Sequence, residues 1–151
     1  MIQNLPDLSL PLPGVPGAAY RALAEDLMGA VSATVWVEHE SQMDTVTAVS
    51  GSGPAYFFLF MEALEAAAHE RGLPRDVAHR LTLETAFGAA QMARQSPESL
   101  ATLREQVTSK GGTTAAALEV LNAAGLRAIV AHAVAAADRR SAELAAEFGG
   151  P

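Results

Sequence analysis

From residue 18 to residue 148 the chain is alanine-rich helical sequence cut at a few Gly, Pro and Ser positions, and that punctuation restricts it to a few long helices joined by short connections. Leu23, Leu27, Ala30 and Val31 fall at helical spacing and predict a helix over 18–33, followed by a short extended piece at 34–37, T-V-W-V. Met43, Val46 and Thr47 restart the helical pattern from Ser41 until 50–54 interrupts it. A kink is expected there, because Pro54 has no N–H and its ring opposes the carbonyl four residues back. Beyond it, Phe57, Phe58, Leu59, Phe60 and Met61 are consecutive, so this helix is apolar on every side and needs burial all round. Gly72 ends it and Pro74 opens the next helix, which runs to about Gln95. Ser96 is the expected N-cap of a helix over 97–108, 109–112 is a loop, and Thr113 is the expected N-cap of a helix that Gly125 closes. A last helix spans 126 to about 148. The expected fold is an all-α bundle of about six helices.

Alanine at facing positions lets helices approach closely, and a few long helices enclose little volume. An intertwined homodimer is therefore the expected way to bury residues 57–61, the alternative being a monomeric bundle with that helix at its centre. Pro6, Pro11, Pro13 and Pro16 make residues 1–17 an irregular head before a helical domain at 18–151. Ten basic against seventeen acidic side chains, a formal charge of -7, argue against nucleic acid or an anionic membrane as partner. With no cysteine and no signal-like start, the expected location is the cytoplasm; the most apolar run is too short to span a bilayer.

Two segments carry glycines and hydroxyls where helix should continue. In V-T-S-K-G-G-T-T-A-A-A-L (107–118), Gly111 and Gly112 free the backbone just before a strong helix. Ser109, Gly112, Thr113 and Thr114 then gather helix-start N–H groups and hydroxyls on one point, more donors than a simple cap requires, as a small carboxylate or phosphate site would. In S-G-S-G-P-A-Y (50–56), Ser50, Gly51, Ser52, Gly53 and Pro54 serve equally well as a packing kink or a pocket wall. Gly51-Ser52-Gly53 is not a dinucleotide fingerprint, since Pro54 intrudes and a helix precedes it where a strand is required. His39, His69, His79 and His132 show no metal-ligand spacing, and nothing places a histidine beside a serine; no metal and no catalytic residue is expected.

At these residues the chain resembles the C-terminal dimerisation domain of pyrroline-5-carboxylate reductases. The likeness rests on 107–118, on A-V-S-G-S-G-P-A-Y (48–56), on G-L-P-R (72–75) and on L-E-V-L-N-A-A-G-L-R-A (118–128), and it runs from about Leu23 to Phe148. The resemblance implies a fold like the 6-phosphogluconate dehydrogenase C-terminal domain, a homodimer or decamer, and the NAD(P)H-dependent reduction of 1-pyrroline-5-carboxylate to L-proline. It implies a small-carboxylate site at Ser109, Gly112, Thr113 and Thr114, with 50–54 lining the same pocket. Lys110 stands where the family usually has proline. The family's nucleotide domain is not in this sequence, so the chain by itself is expected to bind no NAD(P)H and to be inactive unless a Rossmann domain is supplied in trans. The competing reading is a helical dimerisation module that has lost the reductase chemistry.

Overall fold

The computed structural model describes residues 17–29 and 33–148. They form seven α-helices, six of them of seven residues or more: α1 (Gly17–Gly29), the single turn α2 (Met43–Val46), α3 (Gly53–Glu70), α4 (Arg75–Gln95), α5 (Leu100–Gln106), α6 (Thr113–Ala123) and α7 (Leu126–Phe148). No strand is formed among the described residues, and the all-α expectation holds. The head at 1–16 lies outside the described residues. So does the stretch 30–32, over which the first helix was expected to continue beyond Gly29, the last described residue of α1.

The contacts divide the chain into two compact units, one ending at Met43 and the other starting at Asp44. The first holds α1, residues 33–37, which form neither helix nor strand, and a 3₁₀ turn (Glu40–Gln42). Gln42 Oε1 accepts from the N–H groups of Glu38 and His39, each at 2.9 Å, which ties this turn to the residues just before it.

In the second unit the turns follow the sequence closely. Gly72 has φ +97°, and the N–H of Leu73 reaches Ala68 O at 3.2 Å while Gly72 N–H reaches His69 O at 2.9 Å. This paired closure requires a left-handed residue, which glycine supplies without a Cβ penalty, and it folds α4 back onto α3. Pro74 sits one residue earlier than expected, as the N-cap of α4. Ala78 and Thr82, one turn apart, are the buried residues of α4, small enough to let the two helices approach. Gly125, at φ +75°, ends α6 as expected, and α7 leaves it bent by 53° and packs against it.

Two caps differ from expectation. Ser96 Oγ accepts from Glu98 N–H, closing a local turn, while the N-cap is Ser99, whose hydroxyl accepts from Thr102 N–H at 3.1 Å. With two serines three residues apart, the later one captures the helix, and α5 covers 100–106, shorter than 97–108. The second difference lies at the start of α6, where the N-cap is Gly112 and Thr113 is the first helical residue.

Among the described residues no large side chain is fully buried. Ala48 and Ala78 are enclosed, yet Phe57 is 71 % exposed, Phe58 65 % and Leu59 68 %. The all-round apolar helix is thus left open by its own chain, against the idea that it forms the centre of a monomeric bundle. No single described helix is long and apolar enough to cross a membrane.

Candidate anion site at the start of helix α6

The site is built by the way α5 ends and α6 begins. Thr108 turns its hydroxyl back to Arg104 O at 2.5 Å and its N–H to Glu105 O, which closes α5 and removes Thr108 from the loop's free donors. The chain then reverses through Gly111 at φ +72°, a conformation that glycine adopts readily and a side chain does not. Gly112 N–H bonds to Ser109 O at 3.1 Å, and Gly112 itself is extended, φ -81° and ψ 175°.

Space, not dihedral angle, makes Gly112 special. A Cβ there would collide with the Ser109 hydroxyl and lie 3.3 Å from the Ser109 carbonyl oxygen. The missing side chain therefore lets Ser109 fold its Oγ over the first turn of α6.

Gly112 has no side chain to cap α6, and no side-chain cap hydrogen bond is made. The N–H groups of Thr113, Thr114 and Ala115 belong to the first turn, where no helical carbonyl is available to them. None of them, nor the hydroxyls of Ser109, Thr113 and Thr114, makes a hydrogen bond among the described residues. Thr114 is half-buried and Ser109 exposed, so the donors face a partly sheltered, open spot. Partial positive charge at a helix start and free donors together favour an anion. Lys110 beside them is exposed and makes no ion pair among the described residues.

The second glycine segment takes the form of a π turn (Thr47–Gly51), closed by Ser52 N–H to Thr47 O at 2.9 Å. Widening the helix there lets α3 restart at Gly53, so Pro54 falls in a first turn, where its missing N–H has no partner to lose. Gly53 is buried, Ser52 half-buried, and Ser50, Gly51 and Pro54 exposed. The π turn packs on α7 and α3, and Thr45 just before it donates to Asp138 Oδ1 of α7 at 2.7 Å. No hydrogen bond joins 50–54 to 109–114 among the described residues; each segment leads to α7, the π turn directly and the loop through α6.

One feature of the surface was missed from the sequence. A cleft of about 530 Å³ between α3 and α4 is lined by Glu62, Glu65, His69, Arg75 and His79 beside Phe58 and Met61. His79 Nδ1 meets Glu65 Oε2 at 2.8 Å and His69 Nδ1 lies 2.9 Å from Leu73 O. The available signal was Glu62, Glu65 and His69 at three- and four-residue spacing on α3. Among the described residues no three His, Asp or Glu side chains gather closely enough to hold a metal ion.

Comparison with known proteins agrees with this architecture. The family described as pyrroline-5-carboxylate reductase dimerisation matches residues 40–144. The pyrroline-5-carboxylate reductase of Pseudomonas aeruginosa is 52 % identical over 132 residues, 87 % of this chain and 48 % of that protein. That of Pasteurella multocida is 50 % identical over 126 residues, 83 % and 46 %. Among solved structures, the Coxiella burnetii reductase superposes with a TM-score of 0.83 at 44 % identity, covering 88 % of this chain and 49 % of that one. The Plasmodium falciparum enzyme, solved with NADP bound, gives 0.73 at 32 % identity, covering 86 % and 49 %. The chain thus spans about half the length of the relatives it matches. By the extent of the family match and these helices alike, it belongs to the pyrroline-5-carboxylate reductase dimerisation family.

Proposed function

We propose that this chain is the self-associating, substrate-carboxylate-binding half of a pyrroline-5-carboxylate reductase, which reduces 1-pyrroline-5-carboxylate to L-proline. The observation that carries the reading is the uncapped start of α6, where three N–H groups and the hydroxyls of Ser109, Thr113 and Thr114 are free to clamp the carboxylate of a cyclic imino acid. Ser50, Gly51, Ser52, Gly53 and Pro54 line the same pocket once the partner copy is in place. The reduction needs a positioned substrate more than a strong base, which suits a site made of neutral donors.

The described residues do not fit a dinucleotide. Gly51 ends a π turn, Gly53 starts α3, and Pro54 occupies the first turn that a pyrophosphate would face. NAD(P)H therefore belongs on a separate Rossmann domain, in cis or in trans, and this chain supplies binding and orientation. The association is a homodimer, with a decamer as its higher assembly, in the cytoplasm.

Thermal melting with tetrahydrofuran-2-carboxylate, a proline-like acid without the amine, tests the site. At one hundred times Kd a ligand adds about 2.7 kcal/mol, a rise of roughly 5–10 °C for a chain of this size. The double variant Ser109→Ala, Thr114→Ala should lose that rise while melting like the parent without ligand. Absence of a rise in the parent refutes the binding role. The second reading, a helical module without chemistry, is favoured only by the exposed face of α3, which needs a partner whether or not the α6 site works.

A further inference from the structure

Among the described residues, the cleft between α3 and α4 holds charges of both signs that are left without a partner. Glu65 is engaged with His79 across the two helices, but the side chains of Glu62 and Arg75, which line the same cleft, make no ion pair or hydrogen bond there. Thr82 lines it too and is only 4 % exposed, yet its hydroxyl has no hydrogen bond among the described residues. A helical threonine commonly turns its hydroxyl to the carbonyl one turn back, as Thr108 does to Arg104 O. A buried polar group that forgoes such a bond is available to an occupant of the cleft.

The contact of His79 Nδ1 with Glu65 Oε2 at 2.8 Å sets the register of the two antiparallel helices. On α3 the chain passes Glu62 and Glu65 before the Gly72 turn, and on α4 it leaves that turn through Arg75 and His79 towards Thr82. Arg75 therefore lies on the turn side of the pair, with Glu62 and Thr82 on its other side. The rise from Arg75 to His79 and from Glu65 to Glu62 separates the two free charges by about 10 Å along the helices. An α-amino acid with a charge-assisted hydrogen bond of about 2.8 Å at each end nearly spans that distance. Arg75 offers the forked donors that suit a carboxylate, while Glu62 and the Thr82 hydroxyl accept from an ammonium. Met61 and Leu83 supply an apolar wall, and about 530 Å³ gives room for a small molecule. A plain anion would be repelled by Glu62 and a plain cation by Arg75, so a ligand carrying both charges fits where neither alone does.

We propose that this cleft binds a free α-amino acid with an apolar side chain, its carboxylate on Arg75 and its ammonium on Glu62 and Thr82. The site shares no residue with the start of α6 and does not depend on the reductase reading. Its charged end lies toward the Gly72 turn, whereas Phe57 to Phe60 precede Glu62 on α3, so the site has to remain open when a second copy is seated on those phenylalanines.

Calorimetric titration of the whole chain, in the assembly it forms in solution, with L-leucine tests this. Saturable heat is expected. Leucinamide, which lacks the carboxylate, and 4-methylpentanoate, which lacks the ammonium, should each bind about tenfold more weakly or worse, as loss of one charged contact predicts. Arg75→Gln and Glu62→Gln, both at exposed positions, should weaken leucine about tenfold or more while melting like the parent without ligand. Thr82→Val keeps the shape and removes the hydroxyl, and should weaken it severalfold. The double variant Ser109→Ala, Thr114→Ala should keep the leucine response and lose that to tetrahydrofuran-2-carboxylate, and Arg75→Gln should do the reverse, so failure of one site is not failure of the other. No heat from leucine with the parent, equal binding of leucinamide, or a leucine response unchanged in Arg75→Gln would each overturn the proposal.

Discussion

Two adjacent glycines do different work in the loop before α6, and they can be told apart. Gly111 is needed for its angle, since φ is +72° and nothing lies within 4 Å of a Cβ built there. Gly111→Ala should cost about 1–2 kcal/mol and lower the melting temperature by roughly 2–8 °C without removing any donor. Gly112 has ordinary angles but no room beside Ser109. Gly112→Ala should therefore displace the Ser109 hydroxyl and weaken carboxylate binding more than it weakens the fold, as calorimetric titration alongside a melt would reveal. The surplus of hydroxyls at Ser109, Thr113 and Thr114 was readable in the sequence. The cap was not, because Gly112 and Thr113 both suit that position and only the packing of Ser109 over Gly112 chooses between them.

At the scale of elements, most boundaries were legible because glycine, proline and serine act locally. Gly72 and Gly125 end helices by adopting left-handed angles, and α4 and α7 end where the pattern does. The start of α5 was less legible. Ser96 and Ser99 are both competent caps, and Ser96 is diverted into its own turn with Glu98. Ser99→Ala should therefore cost about 1 kcal/mol and Ser96→Ala less than half of that, measured by denaturant midpoint at constant m-value. The interruption at 50–54 was visible as well, but its form was not. Proline forbids an ordinary interior turn, and whether the chain kinks or widens into a π turn depends on how α7 packs against 47–51.

For the molecule as a whole, the exposed face of α3 decides the most. Burying roughly 450 Å² from Phe57, Phe58, Leu59 and Phe60 would contribute about 11 kcal/mol before the costs of association. Phe57→Asp separates the cases sharply. On a monomer, a side chain 71 % exposed tolerates this change within about 0.5 kcal/mol, whereas an interface would have to bury a charge. Light scattering should give twice the 15.7 kDa chain mass for the parent and one chain mass for Phe57→Asp. By itself the sequence determined the helices and most of their ends, since helical period and turn residues act over a few positions, and it determined the presence of an excess of donors before α6. Only the tertiary structure decided which residues cap, what α7 braces and that α3 is left open, because each depends on contacts that the local sequence pattern does not encode.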